Sequence, residues 1–429
     1  MSDKIDLEIR DLGAHGDGIG RDSSGEAVFV SGALPGEKVR VGALQAAGVA
    51  GRRATLDAVL TPAPGRAIPA CAHFGTCGGC AAQHMGDGIY ENWKREIVAD
   101  ALAREGVAAN VGPLHRVPGA SRRRARLFAA RTQAGVVIGF HSQGSHMIVG
   151  MDQCPALAPQ LFAFVAPLKA FLVDRLAPGA RAEVEVQLVD GVLDVVLRLA
   201  APLNRNLYER LARFAEDAGI ARISWQSLTR GRRPQRDAPE TVVERQPIRA
   251  NFGGISVALP PLAFLQASDE GERALVAQVT ARVPEGARVA DLYAGAGTFT
   301  FPLAKTRRVA AFDGASDLIA ALNRAARGSG LGERVTATAR DLERRPLSAS
   351  ELKNFDAVLF DPPRGGAPVQ AKEIAASKVP LAVAVSCNPT SFARDARILI
   401  EGGFEIGPVM PVDQFVWTRH VELAAAFQR

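Results

Sequence analysis

Polar and apolar residues alternate in short segments over residues 1–60. The segments IDLEIRDL, EAVFVSGAL and EKVRVGAL show this alternation, and glycine-bearing stretches such as GAHGDGIG separate them. A period of two is typical of strands that bury one face, and glycine-rich stretches between such segments are typical of turns. The pattern therefore predicts a small OB-like β-barrel. Such barrels often bind single-stranded nucleic acid, and a barrel without a ligand is the alternative.

The pattern is mixed over residues 61–250. A cysteine-bearing loop comes first, and helical stretches such as FAFVAPLKAFLVDRL and LYERLARFAEDAG flank the hairpin-like AEVEVQLVDGVLDVVLRL. Over residues 251–429 the pattern changes to apolar strands that alternate with helices, namely RVADLY, VAAFD, FDAVLF and LAVAVS. These patterns predict a central α+β domain with antiparallel strands, followed by an α/β domain with a Rossmann-like, doubly wound parallel sheet.

The composition is that of a globular protein, with 47% hydrophobic and 22% charged residues among 429. A chain of this length is too long to fold around a single hydrophobic core, which agrees with the three predicted domains. The first residues, MSDKIDLEIRDLG, lack the apolar stretch of a secretory signal, and no apolar run reaches the ~18 residues of a membrane helix. We therefore expect a cytoplasmic, monomeric protein with no membrane partner.

The stretch RVADLYAGAGTFTFPLA is typical of a strand, a glycine turn and a helix. Gly295 and Gly297 have the G-x-G spacing of a nucleotide-binding turn, and Asp313 ends the next apolar run. Asp341 and Asp361 follow two further predicted strands. Because open sheets bind ligands at the carboxyl ends of their strands, these residues predict a cofactor crevice.

Two features of this turn distinguish S-adenosylmethionine from NAD. The third glycine of G-x-G-x-x-G is missing, since Gly297 is followed by Thr298-Phe299-Thr300, and the acidic Asp291 precedes the turn. S-adenosylmethionine has no pyrophosphate to bind and carries a cationic sulfonium. Both features therefore favour a methyltransferase over a dehydrogenase.

A lone thiol, Cys387, follows the apolar run VPLAVAV in the stretch VSCNPTSFARD. Upstream, Asp361-Pro362-Pro363-Arg364 resembles the D-P-P-Y of methyltransferases that act on exocyclic amines. However, Arg364 replaces the aromatic residue of that motif, and methylation of an amine would give Cys387 no role in the reaction. Carbon 5 of uracil is a weak nucleophile, and a thiolate that adds at carbon 6 activates it. The thiol therefore favours methylation of a pyrimidine carbon.

The segments DLYAGAGTF, DPPRGG, SCNPTSFARD and HVE match, in order and spacing, the RNA 5-methyluridine methyltransferase family. The chain resembles this family over nearly its whole length, and GDGIGR with GEAVFVSGALPGEKVRV resembles its TRAM domain. The resemblance implies a class I methyltransferase fold, S-adenosylmethionine as methyl donor, Cys387 as the nucleophile and Glu422 as the proton acceptor. It implies cofactor contacts at Gln266, Tyr293, Thr298, Asp313, Asp341 and Asp361.

The chain departs from the family pattern at three positions. Ala294 stands where a cysteine is frequent, Thr298 replaces a common asparagine, and Asp313 replaces a longer glutamate. A free thiol with a pKa of ~8.5 is mostly protonated at neutral pH. We therefore expect local donors that favour the thiolate of Cys387.

Four other cysteines, Cys71, Cys77, Cys80 and Cys154, lie in CAHFGTCGGC and MDQCP. Clustered cysteines in a cytosolic protein favour a metal over disulfides, and their spacing leaves zinc and an iron–sulfur cluster open. The family resemblance implies a [4Fe-4S] cluster. Since methyl transfer needs no electron, we expect the cluster to stabilise the fold near an RNA-binding surface.

The formal net charge is +6, and arginines cluster in two places. The clusters are Arg122, Arg123, Arg124, Arg126 and Arg131, and then Arg230, Arg232, Arg233 and Arg236. Such clusters suit a phosphate backbone, and a solvated face is the alternative. The resemblance implies RNA as the partner, with 23S ribosomal RNA first and the T-loop uridine of transfer RNA second. A catalytically decayed RNA-binding protein is the remaining alternative.

Overall fold

A computed structural model of the chain describes residues 4–46, 51–200, 203–227 and 238–429. The first sheet joins seven strands in the order β5-β6-β3-β2-β1-β4-β7 around one apolar core. Its strands are β1 (Ile5–Leu12), β2 (Asp17–Arg21), β3 (Ala27–Ser31), β4 (Lys38–Val41), β5 (Gln45–Ala46), β6 (Arg52–Ala54) and β7 (Leu56–Thr61). Alternate residues such as Leu7, Ile9, Val28 and Val30 are buried, as the period of two in the sequence predicts.

The central sheet joins seven strands in the order β11-β10-β9-β12-β13-β14-β15. Neighbouring strands are antiparallel, as predicted, except that β13 and β14 are parallel. Two elements, α1 (Asp87–Arg104) and β8 (His115–Arg116), precede it. Its own elements are β9 (Arg124–Thr132), β10 (Gly135–His141), β11 (Ile148–Gly150), α2 (Pro159–Ala163), α3 (Val165–Val173), β12 (Arg181–Val189), β13 (Val192–Leu199), α4 (Arg205–Asp217), β14 (Ile220–Ser227) and β15 (Glu240–Glu244).

The third part of the chain begins with a two-stranded ribbon of β16 (Arg249–Phe252) and β17 (Ile255–Ala258). Helices and strands then alternate, as predicted. They are α5 (Asp269–Arg282), β18 (Arg288–Leu292), α6 (Thr300–Ala304), β19 (Arg308–Asp313), α7 (Ser316–Gly328), β20 (Val335–Ala339), α8 (Ala349–Leu352), β21 (Ala357–Phe360), α9 (Pro368–Ala376), β22 (Leu381–Ser386), α10 (Pro389–Glu401), β23 (Glu405–Ile406), β24 (Met410–Asp413) and β25 (Glu422–Gln428).

The third sheet has the order β20-β19-β18-β21-β22-β25-β24-β8. Strands β18 to β22 are parallel, and β25 is antiparallel to β22. Successive residues of a strand bury into opposite faces: Val358 packs in one apolar cluster and Leu359 in the other. Strand β18 pairs with β19 on one side and β21 on the other, which is the switch point where such sheets bind ligands.

Two elements from before the central sheet complete the core of the third sheet. Helix α1 contributes Val98, Ala101 and Leu102 to the same apolar cluster as α10, and β8 pairs in parallel with β24. The domain boundaries at residues 60 and 250 stay a prediction. The structure shows in addition that α1 and β8, which come before residue 250, pack with the third sheet. Within the described ranges, no helix combines the length and apolar character needed to cross a membrane.

Candidate active site

The glycine turn after β18 lies at the switch point. Gly295 has φ +56°, and its N–H donates to Asp313 Oδ2 at 2.9 Å. Asp313 Oδ1 accepts from the N–H of Ala315 at 2.8 Å. Gly297 has φ +101°, and a Cβ there would lie 2.7 Å from the ring of Phe301. The sequence therefore needs glycine at these positions, and Asp313 closes the turn from the next strand.

Tyr293 and Asp341 lie on the same side of this turn. Tyr293 is half-buried with φ +63°. Its burial, with the charges of Glu343, Asp341 and Asp313 nearby, raises the pKa of its hydroxyl to about 12. Asp341 is exposed, and its Oδ1 accepts from the N–H groups of Glu343 and Arg344, both at 3.1 Å. Three of the predicted cofactor residues thus share one electrostatic environment.

Asp361 and Asp291 supply two more carboxyl groups near the turn. Asp361 Oδ2 lies 3.4 Å from Gln266 Nε2, and burial raises the pKa of Asp361 to about 7. Asp291 is 1% exposed, and burial raises its pKa to about 7 as well. Its Oδ2 accepts from the hydroxyl of Thr300 at 2.5 Å, whereas its Oδ1 is buried without a hydrogen-bond partner.

Thr298 directly follows the turn. It lines a cavity of about 610 Å³ together with Arg123, Phe252 and Lys305, and none of the other predicted cofactor residues lines that cavity. The structure therefore brings Gln266, Tyr293, Asp313, Asp341 and Asp361 near the turn, and the cofactor contact of Thr298 stays a prediction.

The buried Asp291 predicts a pH dependence of stability. Its pKa is about 7 in the folded protein against 3.8 as the ordinary value, so the folded state binds the extra proton between these limits. Stability conferred by that proton is present at low pH and is lost as the pH rises toward 7. Thermal melts of the ligand-free protein should therefore show a smaller fall in Tm for Asp291→Asn than for the wild type from about pH 5 to pH 7.

Glu333→Gln is the matched control, since it removes an exposed carboxylate. Its melting curve should follow the wild type over the same range. Equal slopes for Asp291→Asn and the wild type would contradict the raised pKa of Asp291.

The predicted nucleophile and proton acceptor lie on adjacent strand ends. In the antiparallel pair of β22 and β25, Ser386 is opposite Leu423. Cys387 directly follows Ser386 and Glu422 directly precedes Leu423, so the two residues lie at the same end of this strand pair, and the charge of Glu422 acts on the thiol of Cys387. Two residues far apart in sequence are thus placed together by strand register alone.

The electrostatics of the pair are set by burial. Glu422 is 2% exposed, and burial followed by the charge of Asp361 raises its pKa to about 8, while Arg124 and Arg364 oppose this shift. Burial, Glu422 and Asp361 raise the pKa of Cys387 to about 11. Arg364 and a backbone N–H lower the pKa of Cys387, as expected of local groups that favour the thiolate, but burial outweighs them.

Other side chains, which were not among the predicted site residues, complete the site. Gln414 donates to Gln266 Oε1 at 2.6 Å and hydrogen bonds Glu422. Arg364 lies 2.8 Å from His420 Nδ1. Arg124 lies over the ring of Phe264 at 4.2 Å and close enough to Glu422 to lower its pKa. The sequence signals for these residues were an arginine run, the arginine of DPPRGG and the histidine of HVE, and Gln414 had none.

The first arginine cluster has several roles. Arg123 is 6% exposed, donates to the carbonyl of Gln266 at 2.9 Å and pairs with Asp269 and Glu272, so its interpretation as a phosphate contact or solvated residue is wrong. Arg122 lines the cysteine cavity described below. The second cluster, Arg230, Arg232, Arg233 and Arg236, lies outside the described residues.

The four remaining cysteines surround one cavity of about 210 Å³. Cys71, Cys77, Cys80 and Cys154 all line it, and Arg122 lies among them. Burial raises the pKa of Cys80 to about 11. The loop therefore brings Cys154 to the other three cysteines across more than seventy residues of sequence.

Comparison with known proteins finds family matches for the first and the third parts of the chain and relatives that match nearly its whole length. The TRAM domain family matches residues 3–48, and the tRNA (uracil-5-)-methyltransferase family matches residues 274–429. An uncharacterized RNA methyltransferase of Caulobacter vibrioides is 40% identical over 99% of this chain and 100% of its own length. The 23S rRNA (uracil(1939)-C(5))-methyltransferase RlmD of Halomonas elongata is 31% identical over 97% of this chain and 88% of its own length.

The chain belongs to the RNA uracil-C5 methyltransferase family. Its fold is similar to that of Pyrococcus abyssi tRNA (uracil-54, C5)-methyltransferase, solved in complex with S-adenosyl-L-homocysteine, with 23% identity, coverage of 98% and 99% of the two chains and a TM-score of 0.76. An RNA uracil-C5 methyltransferase with an α/β fold and an N-terminal TRAM domain is thereby confirmed. The iron–sulfur character of the central domain stays a prediction.

Proposed function

We propose that this methyltransferase transfers a methyl group from S-adenosylmethionine to carbon 5 of a uridine in 23S ribosomal RNA. The observation that carries the proposal is the placement of Cys387 and Glu422 at the same end of the β22–β25 pair, where the charges of Glu422 and Asp361 both act on the thiol. The similarity to RlmD favours ribosomal RNA. The tRNA (uracil-5-)-methyltransferase family match favours transfer RNA as the second candidate. A decayed RNA-binding protein would have no reason to retain this pair.

The chemistry follows from the pair. The thiol of Cys387 gives its proton to solvent, and the thiolate sulfur adds to carbon 6 of the uracil, so that carbon 5 becomes an enolate-like nucleophile. Carbon 5 takes the methyl group, the carboxylate of Glu422 then accepts the carbon-5 proton, and the sulfur–carbon bond breaks to release Cys387 as a thiolate. A base is most effective when its pKa lies near the working pH, and burial brings Glu422 to about 8.

The crevice residues fit a cationic cofactor. The glycine turn leaves room beside the backbone, and the buried Oδ1 of Asp291 has no hydrogen-bond partner among the described residues. Gln266, Tyr293, Asp313, Asp341 and Asp361 would hold S-adenosylmethionine, and Thr298, directly after the turn, also lines a neighbouring cavity. When bound, S-adenosylmethionine supplies an electrophilic methyl group on a positively charged sulfur.

Nucleoside mass spectrometry of RNA from a deletion strain tests the proposal. We expect loss of 5-methyluridine from one fragment of 23S ribosomal RNA, restored by the wild-type gene and not by the Cys387→Ala gene. Loss from transfer RNA would establish the second candidate. Unchanged 5-methyluridine in both RNAs would contradict the proposed reaction. The target base must leave its stack at a cost of a few kcal/mol, so fragment mapping should place it where unstacking is easiest.

The four cysteines that line one cavity support a [4Fe-4S] cluster as the bound group, since each iron of such a cluster takes one thiolate. Zinc held by the same four thiols is the alternative. Among the described residues, no group of three or more Cys, His, Asp or Glu side chains is arranged to hold a metal ion. Cys71, Cys77, Cys80 and Cys154 would hold the cluster, which crosslinks residues of two separate segments.

The cysteine loop also contacts the segment that precedes Glu422. The N–H groups of Ala81 and Ala82, directly after Cys80, donate to the carbonyl of Trp417 at 2.7 and 3.1 Å. A cluster that fixes Cys80 would therefore fix this contact. This supports a structural rather than an electron-transfer role for the cluster.

Removal of the cluster should lower both thermal stability and RNA affinity. Chelation under oxidising conditions releases the crosslink between the two segments, and metal binding free energy is lost from the folded state. Tm from circular dichroism and RNA affinity from filter binding are the measurements. The Cys387→Ser protein, which keeps all four cluster cysteines, is the control and should lose Tm in parallel with the wild type. Unchanged Tm and RNA affinity after cluster loss would contradict the structural role.

A groove of about 600 Å³ supports RNA as the partner. It is lined by Arg53 of the first sheet, His141 of β10, and Arg419 and His420 before β25. Arg122, which also lines the cysteine cavity, lies in its wall. The groove thus runs from the first sheet to His420, the residue that contacts Arg364, and the cationic side chains of Arg53, Arg122 and Arg419 along it suit an RNA backbone.

A further inference from the structure

Helix α1 carries a lysine whose side chain is completely buried. Lys94 Nζ lies 2.8 Å from Asp413 Oδ1 and donates to the carbonyl of His420 at 2.5 Å. One turn earlier, Tyr90 donates to Asp413 Oδ2 at 2.5 Å, and its hydroxyl accepts from the N–H of Trp417 at 2.8 Å. Tyr90 and Lys94 are four residues apart and therefore lie on one face of the helix.

These contacts hold one segment at three points. Asp413 ends β24 and Glu422 begins β25, so residues 414–421 form the connection between the two strands. Helix α1 binds this connection at its start through Asp413, in its middle through Trp417 and near its end through His420. Trp417 has φ +61°, a conformation that a large residue adopts only when its surroundings hold it.

The same connection carries residues of the active site. Gln414 hydrogen bonds both Gln266 and Glu422, and His420 lies 2.8 Å from Arg364. Val412 is opposite Glu422 in the pairing of β24 with β25. A shift of the connection would therefore move Glu422 relative to Cys387.

A buried ion pair is poorly explained by stability alone. Desolvation of the two charges offsets most of their attraction, and apolar residues of similar size often stabilise a core as well or better. Burial lowers the pKa of Lys94, which Asp413 opposes. Lys94 also donates to the backbone carbonyl of His420, two residues before Glu422. Its hydrogen bonds are therefore made to the connection between β24 and β25, which a role in filling the core would not require.

We propose that Lys94, together with Asp413, is a positioning residue that holds residues 414–421 so that Glu422 can remove the carbon-5 proton from the cysteine-bound uracil. The proposal rests on the proposed function. It assigns to a helix outside the cofactor crevice a role in the last step of the reaction.

The test uses Lys94→Met and the double variant Lys94→Met/Asp413→Asn. The single variant leaves a buried carboxylate without its cation and risks misfolding, whereas the double variant removes both charges. Arg222→Met/Asp194→Asn is the matched control. Arg222 and Asp194 form a buried ion pair at 2.8 Å in the central sheet, and Arg222 also donates to a backbone carbonyl, that of Leu259, at 2.7 Å.

We expect the double variant at Lys94 to lose ~10- to 100-fold in kcat, as small misplacements of catalytic groups do, with KM for RNA little changed. A denaturing gel should show covalent protein–RNA adduct accumulating, because proton removal is slowed after the sulfur has added. The control should keep wild-type kcat per folded molecule and show no extra adduct.

A fall in kcat without adduct would place the defect before proton removal and overturn the proposal, as would wild-type kcat in the double variant. Methylation by the wild type and adduct formation by Glu422→Gln are measured in the same series. If those two fail, the proposed function fails, and if only the Lys94 result fails, the positioning role alone is wrong.

Discussion

Replacement of Cys387 by alanine is expected to abolish methylation of RNA while binding of S-adenosylmethionine is retained. Without the sulfur, carbon 5 of the uracil is never activated, and loss of a covalent nucleophile costs on the order of 10⁴-fold or more in kcat. The crevice residues Gln266, Asp313 and Asp361 do not depend on this thiol for their hydrogen bonds. Transfer of labelled methyl groups to an RNA transcript and calorimetric binding of the cofactor measure the two properties.

Thr390→Ala is the matched control for this experiment. Thr390 is exposed in the first turn of α10, three residues after Cys387, and only its backbone N–H hydrogen bonds the cap residue Asn388. This variant should methylate RNA at the wild-type rate. Turnover by Cys387→Ala would show that another group is the nucleophile.

Replacement of Glu422 by glutamine is expected to trap a covalent complex between the protein and methylated RNA. Glutamine has the same shape but does not accept the carbon-5 proton, so the sulfur–carbon bond formed by Cys387 persists. A labelled RNA that remains with the protein on a denaturing gel is the measurement. The double variant Cys387→Ala/Glu422→Gln should show no such band.

The wild type should show a matching pH dependence. Glu422 accepts a proton only when ionised, and its pKa is raised to about 8, so release of the adduct should accelerate as the pH rises through that value. Absence of adduct in Glu422→Gln over this range would show that a different group removes the proton.

The resemblance of SCNPTSFARD and HVE to the family predicted the roles of Cys387 and Glu422, and both roles stay predictions. The sequence did not show that the two residues lie at the same end of one strand pair, since strand register between β22 and β25 depends on the whole sheet. The turn at Gly295 and Gly297 was likewise predictable because glycine is required there for local steric reasons. Thr298 occupies the family position and also lines a neighbouring cavity, which the sequence did not indicate.

Residues whose roles depend on distant contacts were not predictable. Arg122, Arg123 and Arg124 are consecutive in sequence, yet alternate side chains of an extended segment point in different directions and meet different neighbours. Lys94 gave no signal at all, because lysine is almost never fully buried and a helical lysine is expected to face solvent. Its partner Asp413 lies more than three hundred residues away in sequence.

The packing of α1 against α10 has a consequence for biosynthesis. Helix α1 leaves the ribosome long before β22, β25 and α10 have been made, so Val98, Ala101 and Leu102 lack most of the apolar cluster that buries them until late in translation. Strand β25 lies between β22 and β24 and is made after both, so this part of the sheet is completed late. Nascent chains that stall before β25 are therefore expected to expose the apolar face of α1 and to depend on chaperones.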